Sequence, residues 1–275
     1  MIRSSPHVSR SILLGTALVT GAVVMALEIV GSRLLAPVFG NSLYVWGALI
    51  GVILAAMSSG YAFGGWLADR YTGGGVLATL LLGSGSWTFL VAWGNQPVLF
   101  ETEKLVQDPR WGPCLAATVL LAPPAFGLSG VLPAMLRLAV VDMAHMGLHT
   151  GRMIALSTIG SLAGTWGTAF FLLSWIGTQS LLTWLGIIQI LLGLWWLMKG
   201  TAACASIRLV AVGGSVIIGI LPWFPLQRLN QPIYQEDSPY QQVRIRDDEL
   251  FRYLILDRTF HATMWKADPV ALFLP

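Results

Sequence analysis

The sequence predicts an α-helical polytopic membrane protein with about seven transmembrane helices, followed by a short β-hairpin segment. Three observations carry this. Of 275 residues, 55% are hydrophobic and only 11% are charged, whereas soluble domains carry about 25% charged residues. Seven apolar runs have the roughly 20 residues that a helix needs to cross about 30 Å of hydrocarbon. The 29 Asp, Glu, Lys and Arg residues are unevenly placed, with 17 in residues 1–229 and 12 in residues 230–275. The chain therefore divides into a transmembrane helical domain, 1–229, and a charged tail, 230–275, that reads as a short piece of soluble protein. A water-soluble globule is excluded. With no Lys/Arg cluster interleaved with aromatics, nucleic acid is not an expected partner.

The spans read, in order, as 12–32, 44–68, 76–93, 114–136, 153–176, 180–198 and 207–224. Between them lie turn-forming stretches such as Pro37 to Ser42 and Tyr71 to Gly75, where Gly, Pro, Asn and Ser interrupt the helical pattern. The first run lacks a small-residue cleavage site ahead of a soluble domain, and six more follow it, so it reads as a span and not a removed signal peptide.

Lys and Arg accumulate in cytoplasmic loops. With the N-terminus cytoplasmic, the inner segments hold Arg3, Arg10, Arg70, Arg137, Arg152, Lys199 and Arg208, against Arg33, Lys104 and Arg110 outside. The expected location is a bacterial inner (plasma) membrane. Seven crossings would leave residues 230–275 on the outer side.

Glu28 is the one acid in the first span. A charge at mid-membrane costs about 2.5–3.5 kcal/mol for several residue types, so it needs a partner or a wet cavity. Arg33 is the nearest base, but five residues place it round the helix from Glu28, since same-face neighbours are three or four apart. Two readings stay open: a structural pair near the outer interface, or a substrate or proton site. Gly47/Gly51, Gly60/Gly64 and Gly160/Gly164 are small-xxx-small pairs suited to close helix packing. His145 and His149, one helical turn apart after Asp142, lack a third ligand of metal-site type and read as a solvated loop.

The second span closes on Gly64-Gly65-Trp66-Leu67-Ala68-Asp69-Arg70. It resembles the inner-loop element of major facilitator transporters, which implies that Gly65, Asp69 and Arg70 form a gating brace and not a substrate site. The helical domain is facilitator-like on this resemblance.

After Pro225 the period changes to two. Gln242 to Arg246 and Phe251 to Leu256 alternate around Asp247-Asp248-Glu249, as in a half-buried hairpin, and Phe260 to Trp265 suits a third strand. Tyr234-Gln235-Glu236-Asp237-Ser238-Pro239-Tyr240-Gln241-Gln242-Val243-Arg244-Ile245, followed by Arg252 to Asp257, resembles the opening strands of the spermidine synthase (polyamine aminopropyltransferase) family. Leu27 to Trp46 and the Ala68-Asp69-Arg70 loop resemble the membrane region of proteins in which a facilitator-like domain precedes such a synthase domain.

The resemblance implies transfer of an aminopropyl group from decarboxylated S-adenosylmethionine, the co-substrate, to a polyamine. It implies that Gln241 contacts that donor. Arg258 and His261 depart from the family's pattern of Leu-Asp-Gly followed by glutamine. No glycine-rich nucleotide turn or acidic amine-binding residues follow before Pro275, so no catalytic residue is assigned and this stretch alone is expected to be inactive. The alternative is a facilitator-like permease or exporter of a small cation such as a polyamine, with Glu28 as membrane counter-charge. The expected partners are the lipid bilayer and a polyamine, with homo-oligomerisation left open.

Overall fold

A computed structural model describes residues 10–71, 73–139, 146–199, 234–237, 242–247, 250–256, 259–266 and 268–273. The helices are α1 (Arg10–Phe39), α2 (Leu43–Arg70), α3 (Gly75–Leu105), α4 (Trp111–Leu120), α5 (Ala122–Ala139), α6 (Met146–Gly167) and α7 (Leu173–Lys199), with a π-helical turn, Thr168–Leu172, joining the last two. Among the described residues, four helical stretches are long and apolar enough to cross a membrane, or five if the bent pair α4 and α5 counts as one.

Local chemistry sets the ends. α1 continues past Pro37, because a proline in the last turn forfeits a single hydrogen bond. It stops at Gly40, whose φ of 78° is left-handed and suits glycine. Ser42 then caps α2, its side chain accepting from the Val45 amide at 3.5 Å. The expected fourth span is broken: α4 and α5 meet at 54°, just before Pro123 and Pro124, which cannot donate to the preceding turn. The third span runs beyond its expected end, so that Glu101 and Glu103 lie in the last turn and a half of α3.

Gly147–Lys199 is unbroken by length, with 53 residues, and straight it would reach roughly 80 Å at 1.5 Å per residue. Gly177, at φ 71° and ψ 168°, is non-helical inside it. The glycine contacts show that the chain reverses there. Against α1, α6 runs parallel: a Cβ on Gly160 would strike the Leu18 carbonyl, and one on Gly164 the Ala22 carbonyl. Gly60 and Gly64 of α2 meet Phe126 and Gly130 of α5 in the same parallel sense. The remaining contacts are antiparallel, with Gly31 against Leu121 and Gly112 against Phe39 for α1, and Leu82 against Gly193 and Phe89 against Gly186 for α3 and α7. Taking α4 with α5 as one passage, six passages alternate in direction. The described helices start at Arg10 and return to the same face at Lys199.

These passages form two inverted sets of three. The first passage packs on the fifth and the second on the fourth, while the third crosses the sixth, a pattern unchanged when the first three exchange places with the last three. The sequence carries the same relation: Gly47, Gly51, Gly60, Gly64 and Trp66 of α2 recur 100 residues later as Gly147, Gly151, Gly160, Gly164 and Trp166 of α6. Tight packing follows the repeat at Gly60/Gly64 and Gly160/Gly164. At Gly47, Gly51, Gly147 and Gly151 an added Cβ would meet nothing within 4 Å, so the expected helix contact at Gly47/Gly51 is not made.

The expected hairpin is present as part of a larger sheet. Five strands, β1 (Tyr234–Asp237), β2 (Gln242–Asp247), β3 (Phe251–Leu256), β4 (Thr259–Trp265) and β5 (Asp268–Phe273), form an antiparallel meander in chain order. Ile245 pairs with Leu254 and Leu254 with Ala262, an apolar row across three strands. β1, which reads Tyr-Gln-Glu-Asp, and β5, which opens Asp-Pro, lack the alternation that reveals a strand. Only Ile255 is buried among the described sheet side chains. The seventh expected span, 207–224, and the 229/230 boundary lie outside the described residues.

Candidate functional site

Glu28 sits on α1 at the seam with α6. It lies seven residues beyond Gly21, which nearly repeats the same helical face, and Gly21 is the residue against which Ser157 packs and to whose carbonyl Ser161 Oγ donates at 3.3 Å. Thr168, seven residues beyond Ser161, is fully buried and opens the π-helical turn, which itself touches α1. Both side chains thus occupy the same seam, one turn past the last glycine contact. Glu28 is half-buried, and no ion pair or hydrogen bond joins it to Arg33. The expected structural pair is not made, because five residues turn Arg33 about 140° away from Glu28 at 100° per residue.

Three buried polar atoms among the described residues have no hydrogen-bond partner: Thr168 Oγ1, Asn95 Oδ1 and Gln189 Oε1. Gln189 and Thr88 occupy the centre of the α3–α7 crossing, where Gln189 Nε2 donates to Thr88 Oγ1 at 3.2 Å and to the Leu185 carbonyl at 3.0 Å. Trp196, fully buried, donates from Nε1 to Thr16 Oγ1 at 3.2 Å and ties α7 to α1. Thr168 extends the small-residue stripe of Gly160, Gly164, Ser157, Ser161 and Thr165 that the sequence shows, whereas Thr88 and Gln189 do not stand out in it. The 100-residue repeat of glycines was the signal available, since it marks which helices must meet.

The Gly65-Asp69-Arg70 element joins the ends of two helices. Asp69, at the end of α2, reaches Arg137 at the end of α5 with an Nε to Oδ1 distance of 3.3 Å, and the Arg70 guanidinium lies over the Trp66 ring, 5.6 Å from its centroid. Both members of the ion pair are more than half exposed, so its contribution is about 0–1 kcal/mol. Gly65 is not the point of close approach: its added Cβ would sit 3.9 Å from Pro133, whereas Gly64 lies against the Gly130 backbone.

The sheet has a separate electrostatic centre. Arg252 grips Asp247 with two parallel bonds, Nε to Oδ1 at 2.7 Å and Nη2 to Oδ2 at 2.9 Å, and Lys266 Nζ approaches Oδ2 at 3.1 Å. Hydrogen bonding from Arg252 dominates, with Lys266 adding to it, and the Asp247 carboxyl is held down at about 2. The same contact raises Arg252. Since Asp247 ends β2, Arg252 lies on β3 and Lys266 follows β4, one carboxylate clamps three strands. Gln241, Asp142 and His145 lie outside the described residues. His149 lies in the first turn of α6, and no group of metal-type ligands occurs among the described residues.

Comparison of the chain with family models, with curated proteins and with solved structures gives no match.

Proposed function

We propose that the chain is the facilitator-like membrane module and opening sheet of a spermidine synthase-like protein, held in a bacterial plasma membrane with its N-terminus cytoplasmic. The observation that carries the reading is a helical bundle of two inverted three-passage repeats followed by an antiparallel sheet whose strands bear the aminopropyltransferase-type sequence. Inverted repeats underlie many secondary transporters, whose ligands bind where the repeats meet. The face with Arg10, Arg70, Arg137, Arg152 and Lys199 is the more basic, which favours a cytoplasmic assignment for it. Decarboxylated S-adenosylmethionine is the donor expected at the sheet and a polyamine the acceptor. Equilibrium binding of labelled donor and labelled putrescine to the protein in nanodiscs tests this. Saturable donor binding that weakens in Gln241→Ala supports the reading, and absence of saturable binding for both contradicts it.

A second reading, a permease or exporter of a small organic cation, is favoured by Glu28, a lone acid half-buried in the α1–α6 seam. In proteoliposomes it requires putrescine uptake that falls in Glu28→Gln. Equal uptake by wild type, by the variant and by empty vesicles contradicts it.

A further inference from the structure

We propose that the α1–α6 seam holds a proton-binding site in which the Glu28 carboxyl, once protonated, hydrogen-bonds to Thr168 Oγ1. The site deepens the transport reading of the bundle and would be the point at which proton concentration acts on it. Four observations bear on it.

First, Glu28 is half-buried in an apolar span and makes no ion pair or hydrogen bond to another described residue. An ionised carboxylate in such a place is costly, and taking up a proton removes the charge. Second, a protonated carboxyl becomes a donor and needs an acceptor. Thr168 Oγ1 is fully buried and unpartnered. Most threonines in these helices, Thr158 and Thr165 among them, return their hydroxyl to the carbonyl four residues back. Thr168 does not.

Third, the register brings the two to one level. Leu18 meets Gly160 and Ala22 meets Gly164 in parallel helices, which sets Thr168 beside Ala26 and leaves Glu28 about 3 Å further along at 1.5 Å per residue. Fourth, the ligand must be small. The seam is closed around Thr168, and a proton requires no cavity.

Among the described residues, neighbouring elements bring no second titratable group to this level. α6 offers Ser157, Ser161 and Thr165 on the seam, while its His149 and Arg152 lie in the first two turns, near the opposite face. The π turn carries none, and α7 has only Lys199 at its far end. Tyr44 opens α2, whose Tyr61, Asp69 and Arg70 lie toward its other end; Glu101, Glu103 and Lys104 close α3, Cys114 lies in the first turn of α4, and Arg137 ends α5. Arg33 lies round the helix and has an interaction of its own.

Acid-minus-base infrared difference spectra of the full chain in nanodiscs test the proposal. The wild type should show a protonated-carboxyl band that Glu28→Gln abolishes, that Thr168→Val displaces and that Thr168→Ser, keeping the hydroxyl, leaves in place. No carboxyl band in the wild type, its survival in Glu28→Gln, or an unmoved band in Thr168→Val would overturn it. Putrescine uptake measured on the same preparations separates the two ideas: the band pattern without uptake retains the proton site and rejects the permease, whereas uptake without the band does the reverse.

Discussion

Gly85 and Gly186 lie back to back at the α3–α7 crossing: a Cβ added to either would sit 3.0 Å from the carbonyl oxygen of the other. The two are related by the inverted repeat, as are Thr88 and Gln189, each pair being 101 residues apart. The pseudo-two-fold relation therefore passes through this crossing, where the two helices pack backbone to backbone.

Gly186→Ala should destabilise the protein by about 1–3 kcal/mol, the usual cost of overpacking, because its Cβ would also meet the Phe89 amide nitrogen at 2.9 Å. Gly83→Ala on α3 meets nothing within 4 Å and should be neutral or gain up to about 1 kcal/mol of helix propensity. Thermal unfolding in detergent compares the two. Equal losses would mean that the crossing is not close-packed.

The Gln189–Thr88 hydrogen bond should show a coupling of about 0.6 kcal/mol, with an upper range near 1.7, as found for hydrogen bonds between membrane helices. A double-mutant cycle of Thr88→Val and Gln189→Leu measures it. Because Gln189 Oε1 already lacks a partner, Gln189→Leu alone should cost less than Thr88→Val, which strips the amide of a second contact.

Asp69→Asn should lower stability by no more than about 1 kcal/mol and make the remainder insensitive to salt, since the Asp69–Arg137 pair is exposed and screened. The exchange Asp69→Arg with Arg137→Asp should recover what either change loses. Unfolding at low and high ionic strength would show this, and a large salt-independent loss in Asp69→Asn would contradict the brace.

The Asp247 clamp predicts an acid-sensitive sheet. Its folded carboxyl is depressed from 3.8 to about 2, so the stabilisation is fully present above the unfolded value and is lost as pH falls from about 4 through 2. Hydrogen exchange of β2, β3 and β4 should quicken over that window beyond the intrinsic pH effect, and Asp247→Asn should abolish the excess. An unchanged pH dependence in the variant would exclude the clamp.

The sequence made some of this legible and hid the rest for physical reasons. Six of the seven expected spans coincide with helical passages, because an apolar run of membrane length has few alternatives. The reversal at Gly177 was marked only by Ile-Gly-Thr-Gln, yet it falls between the expected spans 153–176 and 180–198. The continuation of α3 through Asn95 and Pro97 was not legible, since a proline near a helix end reads as a stop. Strands β2, β3 and β4 showed through their period of two, whereas the acidic β1 has none. At the site, Glu28 stood out as a charge in an apolar run, but Thr168 continues a row of hydroxyls along α6 and gains meaning only from its burial and its place at the start of the π turn. Arg33 looked like a partner on proximity in sequence, which the helical period cancels.

The central claim is that the helical region consists of two inverted three-passage repeats, and the turn at Gly177 tests it most directly. Single cysteines placed at Thr178, Ser42 and Lys199 in a Cys114→Ala, Cys204→Ala background can be labelled from either side of sealed vesicles. Thr178 and Ser42 should react from one side and Lys199 from the other. Thr178 reacting from the same side as Lys199 would contradict the reversal and with it the inverted repeat.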